Sequence, residues 1–317
     1  MDTAPVTTLA LVKATGLAGG RVRRPAWSDP SPTGTAITDH SSSASEGAVL
    51  PLTDERCLAV ALAGGKGASL AAMTVLGLPV PPGFVVTAEL LASSVDAERL
   101  RALARTLDHE AARDLVLATE PPRSEIAAAL ALLAPGPVAV RSSASAEDSE
   151  AASFAGQQET YLHVRGADEV CARVVECWAS FFSERALFYR ERKGSLEDLR
   201  MAVVVQRMVE ADKSGVLFTV EPVQRRRDRM LVEAVFGLGE TLVSGETTPD
   251  HYILGRTGDV KRERLANGGV LEPRELVLLV ELGHVLEERF GAPQDVEWAI
   301  ADGQIFLLQS RPITTLG

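Results

Sequence analysis

The sequence predicts an α+β protein whose two lobes face one cleft, and three observations carry that expectation. Its 317 residues exceed one typical domain and fall well short of three. The composition, 46% hydrophobic and 24% charged, is that of an ordinary globular chain and excludes collagen-like, low-complexity and wholly disordered classes. From Val49 onward, short apolar runs with strand character are interspersed with segments of helical period.

The first 46 residues have a different texture. They are rich in Thr, Ser, Pro and Gly, and between Asp29 and Glu46 they offer a core almost no bulky apolar side chain. The segment 1–46 therefore reads as a flexible extension, a linker, a leader or a misassigned start; Arg21, Arg23 and Arg24 leave open a basic docking arm. The apolar start precedes that basic cluster, the reverse of a secretory signal. The longest apolar stretch, 126–140, is interrupted by Pro135, Gly136 and Pro137 and is too short for a membrane span. Cys57, Cys171 and Cys177 form no paired framework, so the expected compartment is the cytoplasm. A formal net charge of −11 argues against nucleic acid as a partner, since such affinity rests on neutralising phosphates.

Strands are expected at 83–87, 138–142, 159–164, 201–209, 215–220, 230–235, 251–254, 294–300 and 305–309. A helix is expected from about Ala68 to Leu76, stopped by Gly77 and by Pro79, Pro81 and Pro82. A second begins after an Asp168 cap, aligns Val170, Val174, Trp178, Phe181 and Phe182, and ends at Gly194. A third, 273–290, aligns Leu276, Leu279, Gly283, Leu286 and Phe290. Cys171 and Cys177 share the second helix at a spacing unsuited to one metal, so they read as buried thiols.

Three segments can carry chemistry. Gly64-Gly65-Lys66-Gly67 opens the first helix, where a lysine and backbone N–H groups can hold an anion; it lacks the Ser/Thr and the spacing of a Walker A loop, and an ordinary glycine-rich helix start stays open. The apolar run 138–140 leads straight into Arg141-Ser142-Ser143, placing a guanidinium fork at a strand end beside a Ser/Gly-rich loop that includes Ser153, Gly156 and Gln157. Segments 294–300 and 304–311 form a hairpin around Asp302-Gly303. Its polar face offers Glu297 and Gln309 as candidate Mg²⁺ ligands, with Arg311 beside them; solvated edge positions are the alternative.

The hairpin carries a geometric condition. Directly opposed residues of an antiparallel pair share a face, so Glu297 and Gln309 converge only through an odd-length loop centred on Gly303, or an equivalent bulge. A two-residue Asp-Gly turn alone would pair Glu297 with Leu308. The odd loop is the expectation. It pairs Arg311 with Asp295, gathers Asp295, Glu297, Gln309 and Arg311 on one face, and leaves Val296, Trp298, Ile300, Phe306 and Leu308 on the other.

Taken together, GGKGASLAAM, LPVPPGFVVT, VAVRSSASAEDSEAASFAGQQETYLHV, VVVQRMV, SGVLFTVEPV, EAVFGLGETLVSGETTPDHYIL, QDVEWAI and LLQSRPIT resemble, in collinear order from about Val49 to Thr315, the nucleotide-binding part of the phosphoenolpyruvate synthase, pyruvate phosphate dikinase and rifampin phosphotransferase family. The resemblance implies an ATP-grasp fold with ATP and Mg²⁺ as cofactors. It implies a smaller lobe, 47–200, containing GGKG and the Arg141 strand, closing on a larger lobe, 201–317, containing the Gln206 strand and the final hairpin. Lys66, Arg141 and Arg311 would be the catalytic phosphate-binding groups, and the loop with Ser153, Gly156 and Gln157 would fold over the triphosphate. Gln206, Met208 and Val209 would receive adenine, Glu233 would be a polar partner in the cleft, and Glu297 and Gln309 would hold the metal.

Members that complete the reaction carry a phosphorylatable histidine in a further domain. His40, His109, His163, His251 and His284 lie outside that motif's context and read as structural or surface imidazoles. The expected function is therefore a Mg·ATP-binding component of a dikinase-type phosphotransferase, turning ATP to AMP with phosphoryl transfer to a histidine carrier or acceptor domain on another chain. A stand-alone ATP-grasp enzyme phosphorylating a small molecule, a non-catalytic ATP-binding module, and a fragment of a longer protein are the alternatives.

Overall fold

The computed structural model describes residues 48–144, 159–239 and 247–314. All belong to one compact unit, Gly47–Gly317. The expected extension 1–46 and the loop bearing Ser153, Gly156 and Gln157 lie outside the described residues.

The first half places β1 (Val49–Pro51), α1 (Val60–Val75), β2 (Gly83–Val86), four short helices α2 (Glu89–Ser94), α3 (Ala97–Arg105), α4 (His109–Leu117) and α5 (Arg123–Leu132), then β3 (Val138–Ala144), β4 (Thr160–Val164), α6 (Gly166–Ser180), α7 (Glu184–Lys193) and β5 (Met201–Arg207). Its five strands form an antiparallel sheet ordered β1-β2-β5-β3-β4. The Val203–Val205 run suits a strand covered on both sides. Val204, with Val85, packs under α1, whereas Val203 and Val205 join Phe84, Val140, Trp178 and Phe182 beneath the helices.

The second half places β6 (Lys213–Phe218), β7 (Arg229–Phe236), β8 (Asp250–Gly255), β9 (Val260–Arg264), α8 (Pro273–Phe290), β10 (Gln294–Ala301) and β11 (Gln304–Pro312). These strands make a six-stranded antiparallel sheet, β11-β10-β6-β7-β8-β9. One face, with Leu217, Val232, Tyr252, Trp298 and Leu307, shares a core with Leu276, Leu279 and Leu286 of α8. The opposite face carries the polar groups of the hairpin.

Three expectations need correction. The Gln206 strand was expected with the final hairpin, but β5 is hydrogen-bonded between β2 and β3, so the chain changes sheets between Arg207 and Lys213. The segment 168–194 is two helices, because Ser183 caps a new one by accepting from Ala186 N–H; Asp168 lies in the first turn and pairs with Arg123. Finally, α1 starts at Val60, with one turn before a break at Gly64. Pro273 and the Glu272–Glu275 capping box begin α8 where expected, and Gly291 at φ 70° ends it. Among the described residues, no helix is long and apolar enough to cross a membrane.

Candidate functional site

The turn at Asp302 (φ 50°) and Gly303 (φ 72°) is the two-residue kind, with Ala301 opposite Gln304. By itself it would have turned Gln309 away from Glu297. Pairing runs regularly to Trp298–Leu307 and then slips by one residue, so that Glu297 faces Gln309 and Asp295 faces Arg311. The extra residue is Leu308. The expected odd loop is thus replaced by a bulge that restores the same pairing beyond it. The apolar face changes accordingly: Ile305 and Leu307 line it with Val296, Trp298 and Ile300, whereas Phe306 pairs with Ala299 and Leu308 is the bulge.

The bulge also aims a carbonyl. Arg141, on β3 of the other sheet, donates from Nη1 to Leu308 O at 2.9 Å. Its Nη2 donates to Glu297 Oε2 at 3.0 Å and to Gln309 Oε1 at 2.6 Å. The Arg141 side chain is 10% exposed and that of Glu297 34%. Arg141 Nε is buried with no acceptor among the described residues.

Lys66 stands just past the break in α1. Gly64 adopts φ 69° and ψ 176°, a conformation essentially closed to residues with a Cβ. Ser143, two residues after Arg141 and so on the same face of β3, staples the break: its Oγ donates to Ala63 O at 2.8 Å and accepts from Gly67 N–H at 3.1 Å. Lys66, buried, donates from Nζ to Ser142 O at 3.1 Å. Ser69 Oγ donates to Ser310 O at 2.7 Å, tying α1 to β11.

Arg311 binds the Asp295 carboxylate from Nε and Nη2, both at 2.8 Å. Burial pushes the Asp295 carboxyl above the usual range, against the opposing pull of Arg311. Glu233 lies in the same cross-sheet row as Glu297, with Val216 between them, hence about 10 Å away at the usual strand spacing. Its Oε1 is 3.1 Å from His251 Nδ1, and His251 Nε2 lies 2.7 Å from Arg264 Nη2. Gln206 is buried and donates from Nε2 to Pro81 O at 3.2 Å; Met208 N–H donates to Pro137 O at 3.1 Å, and Val209 follows half-buried between the two sheets.

The structure therefore brings Arg141, Glu297 and Gln309 into contact, with Lys66 held by Arg141's neighbour Ser142 and Arg311 one row along the hairpin. Gln206, Met208, Val209 and Glu233 are not in that contact, and Ser153, Gly156 and Gln157 lie outside the described residues. Sequence reasoning named Ser143 only as part of the segment after Arg141 and gave it no role, although its spacing from Arg141 was a visible signal; the Leu308 carbonyl had none. Among the described residues, no three His, Cys, Asp or Glu side chains gather into a metal cluster. The oxygens of Glu297 and Gln309 do converge on one nitrogen, and hard oxygen donors of this kind fit Mg²⁺ completed by phosphate and water.

One guanidinium thus meets a carboxylate–carboxamide pair across the two sheets, with the Lys66 ammonium bound at the next residue of the same strand. The chain belongs to the family described as pyruvate phosphate dikinase, AMP/ATP-binding domain, which matches residues 60–268 and 256–317. It is 42% identical over 311 residues to a probable phosphoenolpyruvate synthase of Methanothermobacter thermautotrophicus, covering 81% of this chain and 45% of the relative. It is 43% identical over 315 residues to the probable phosphoenolpyruvate synthase of Archaeoglobus fulgidus, covering 84% and 42%. It is 42% identical over 302 residues to a rifampicin phosphotransferase of Streptomyces sviceus, covering 81% and 35%. The chain thus spans less than half the length of each of these relatives.

Proposed function

We propose that this chain binds Mg·ATP in the ATP-grasp manner and is the nucleotide-binding part of a cytoplasmic dikinase-type phosphotransferase. The two sheets would serve as the closing lobes, joined by the linker after Arg207. The observation that carries this reading is the meeting of Arg141 with Glu297 and Gln309 across the two sheets, in a chain of an AMP/ATP-binding family. Lys66, Arg141 and Arg311 hold phosphoryl oxygens, Arg141 through a planar fork that a point charge does not reproduce. Glu297 and Gln309 would hold Mg²⁺, which supplies Lewis-acid neutralisation of phosphate charge when bound. Adenine would lie against Gln206, Met208 and Val209, with Glu233 as a polar partner and the loop of Ser153, Gly156 and Gln157 over the triphosphate.

The chain's contribution is positioning and charge neutralisation; no side chain of the site need act as a covalent nucleophile. The acceptor is a histidine on a carrier domain or chain: its attack on the β-phosphoryl leaves AMP, and the γ-phosphoryl passes to water or another acceptor. Incubating the protein with Mg·ATP alone, with such a carrier, or with candidate small molecules, and separating the nucleotides tests this. AMP formed with the carrier is the expected result; ADP together with a phosphorylated small molecule would replace this reading by direct small-molecule phosphorylation.

A further inference from the structure

Arg141 stands in two places at once. It is the phosphate-binding arginine of the proposed reaction, and its Nη2 occupies the point on which the two candidate metal-ligand oxygens converge, 3.0 Å from Glu297 Oε2 and 2.6 Å from Gln309 Oε1. A Mg²⁺ ion bound by both oxygens, at about 2.1 Å from each, would collide with that nitrogen and be repelled by its charge. Without ligand, then, the metal pair is neutralised by a cation from the chain itself.

The guanidinium is also arranged to let go. Its Nη1 is held by the Leu308 carbonyl at 2.9 Å, a single attachment about which the head can turn, while Nε is buried with no acceptor among the described residues. Nε–H and the neighbouring Nη2–H form one edge of the planar fork, the edge a phosphoryl group grips with two oxygens. A phosphoryl group that takes this edge satisfies Nε and draws Nη2 off Glu297 and Gln309 in one movement. The pair is then left with a carboxylate lacking its counter-ion, beside an anion that brings its own metal.

We infer that Arg141 is a resident counter-ion that keeps bare divalent cations out of the Glu297–Gln309 pair and releases the pair only to a polyphosphate, so that metal enters as the metal–nucleotide complex. The inference rests on the Mg·ATP reading of this site and adds to it an order of occupancy. It gives Arg141 substitutions opposite effects on the two ligands. Removing the guanidinium weakens nucleotide binding and strengthens the binding of free metal.

The test is Mn²⁺ titration of the nucleotide-free protein, followed by electron paramagnetic resonance, on the wild type, Arg141→Met and the double variant Arg141→Met/Glu297→Gln. Arg141→Met, which keeps the buried stem packed, is expected to bind Mn²⁺ about tenfold more tightly than wild type, or ~1.4 kcal/mol, and the double variant to lose that gain. A second variant keeps the inference testable should Arg141→Met fail to fold. Glu297→Gln removes the competing carboxylate, so it should bind metal-free tripolyphosphate several-fold more tightly than wild type. Equal Mn²⁺ affinity in wild type and Arg141→Met, or unchanged tripolyphosphate affinity in Glu297→Gln, overturns the counter-ion role. Mg·ATP binding is measured on the same samples. If the metal gain appears while wild type binds no Mg·ATP, the nucleotide reading fails and the counter-ion role stands; if Mg·ATP binds and the gain is absent, the reverse holds.

Discussion

Replacing Gly64 with alanine tests whether the break in α1 is what sets Lys66 beside the Arg141 strand. At φ 69° and ψ 176°, Gly64 sits where a Cβ is strongly disfavoured, at about 1–3 kcal/mol. The new methyl would also stand 2.0 Å from Ser143 O and 2.3 Å from Ser143 Oγ. One neighbour is backbone in the middle of a sheet, so α1 or β3 must shift, at a further ~1–3 kcal/mol by analogy with overpacked cores. A total near 4 kcal/mol is a large part of the ~5–15 kcal/mol that stabilises a typical domain. For a unit of this size it corresponds to a fall of roughly 8–16 °C in melting temperature. Gly67→Ala is the control: its Cβ would meet Ala63 Cβ at 3.0 Å and Val85 Cγ2 at 3.3 Å, soft side chains, and a helical alanine recovers up to ~1 kcal/mol. Thermal unfolding of both variants, with Mg·ATP titration of whatever folds, is the assay. A Gly64→Ala protein that melts within 2 °C of wild type, or no lower than Gly67→Ala, would refute the reasoning.

Other perturbations reach the second sheet. Asp250 accepts from the N–H groups of Asn267, Gly269 and Val270 at 2.6, 2.9 and 2.8 Å and from the Tyr252 hydroxyl at 3.2 Å. Burial pushes its carboxyl up, but these bonds prevail and hold it below the ordinary 3.8. A folded value below the unfolded one stabilises above the unfolded value and is lost as pH falls through the folded one. Asp250→Asn should therefore cost about 2–4 kcal/mol in urea unfolding at pH 7, with the gap from wild type narrowing below pH ~4. Lys213→Met would leave Glu275, 2.8 Å from Lys213 Nζ and 10% exposed, as an uncompensated buried charge, at ~3–5 kcal/mol; adding Glu275→Gln should recover much of that, as a double-mutant unfolding cycle would show.

What the sequence made legible follows its local signals. Pro273, the Glu272–Glu275 box and Gly291 fix both ends of α8, and Gly77 at φ 72° stops α1. The alternation of 294–300 gave the polar and apolar faces of β10. Where the reading failed, the deciding contact was remote or competed with a local preference. Asp302-Gly303 chose the tight turn its dipeptide favours, and the register was restored five residues later by a bulge with no sequence signature. The run Val203–Val205 says that β5 is buried on both sides but not between which neighbours, so its place beside β3 was invisible. The helix 168–194 was expected to run on past its apolar stripe, which ends at Phe182, to the stop at Gly194, yet Ser183 offered a cap that started a new one. Strand β9, exposed at every residue, had no apolar pattern to find. The candidate site shows the same division: its residue types were readable, whereas the contact of Arg141 with a pair 156 and 168 positions away needed the fold.

The most direct test of the central claim is the thermal midpoint of the protein with and without Mg·ATP, in wild type and in Glu297→Gln. A ligand present at a hundred times its dissociation constant stabilises by about 2.7 kcal/mol. The wild-type midpoint should then rise by roughly 5–11 °C. Glu297→Gln, which keeps an oxygen toward Arg141 but loses the charge that would hold the metal, should retain less than half of that rise. A wild-type midpoint that stays unchanged in millimolar Mg·ATP, or a rise as large in Glu297→Gln as in wild type, would contradict the assignment of Mg·ATP to this site.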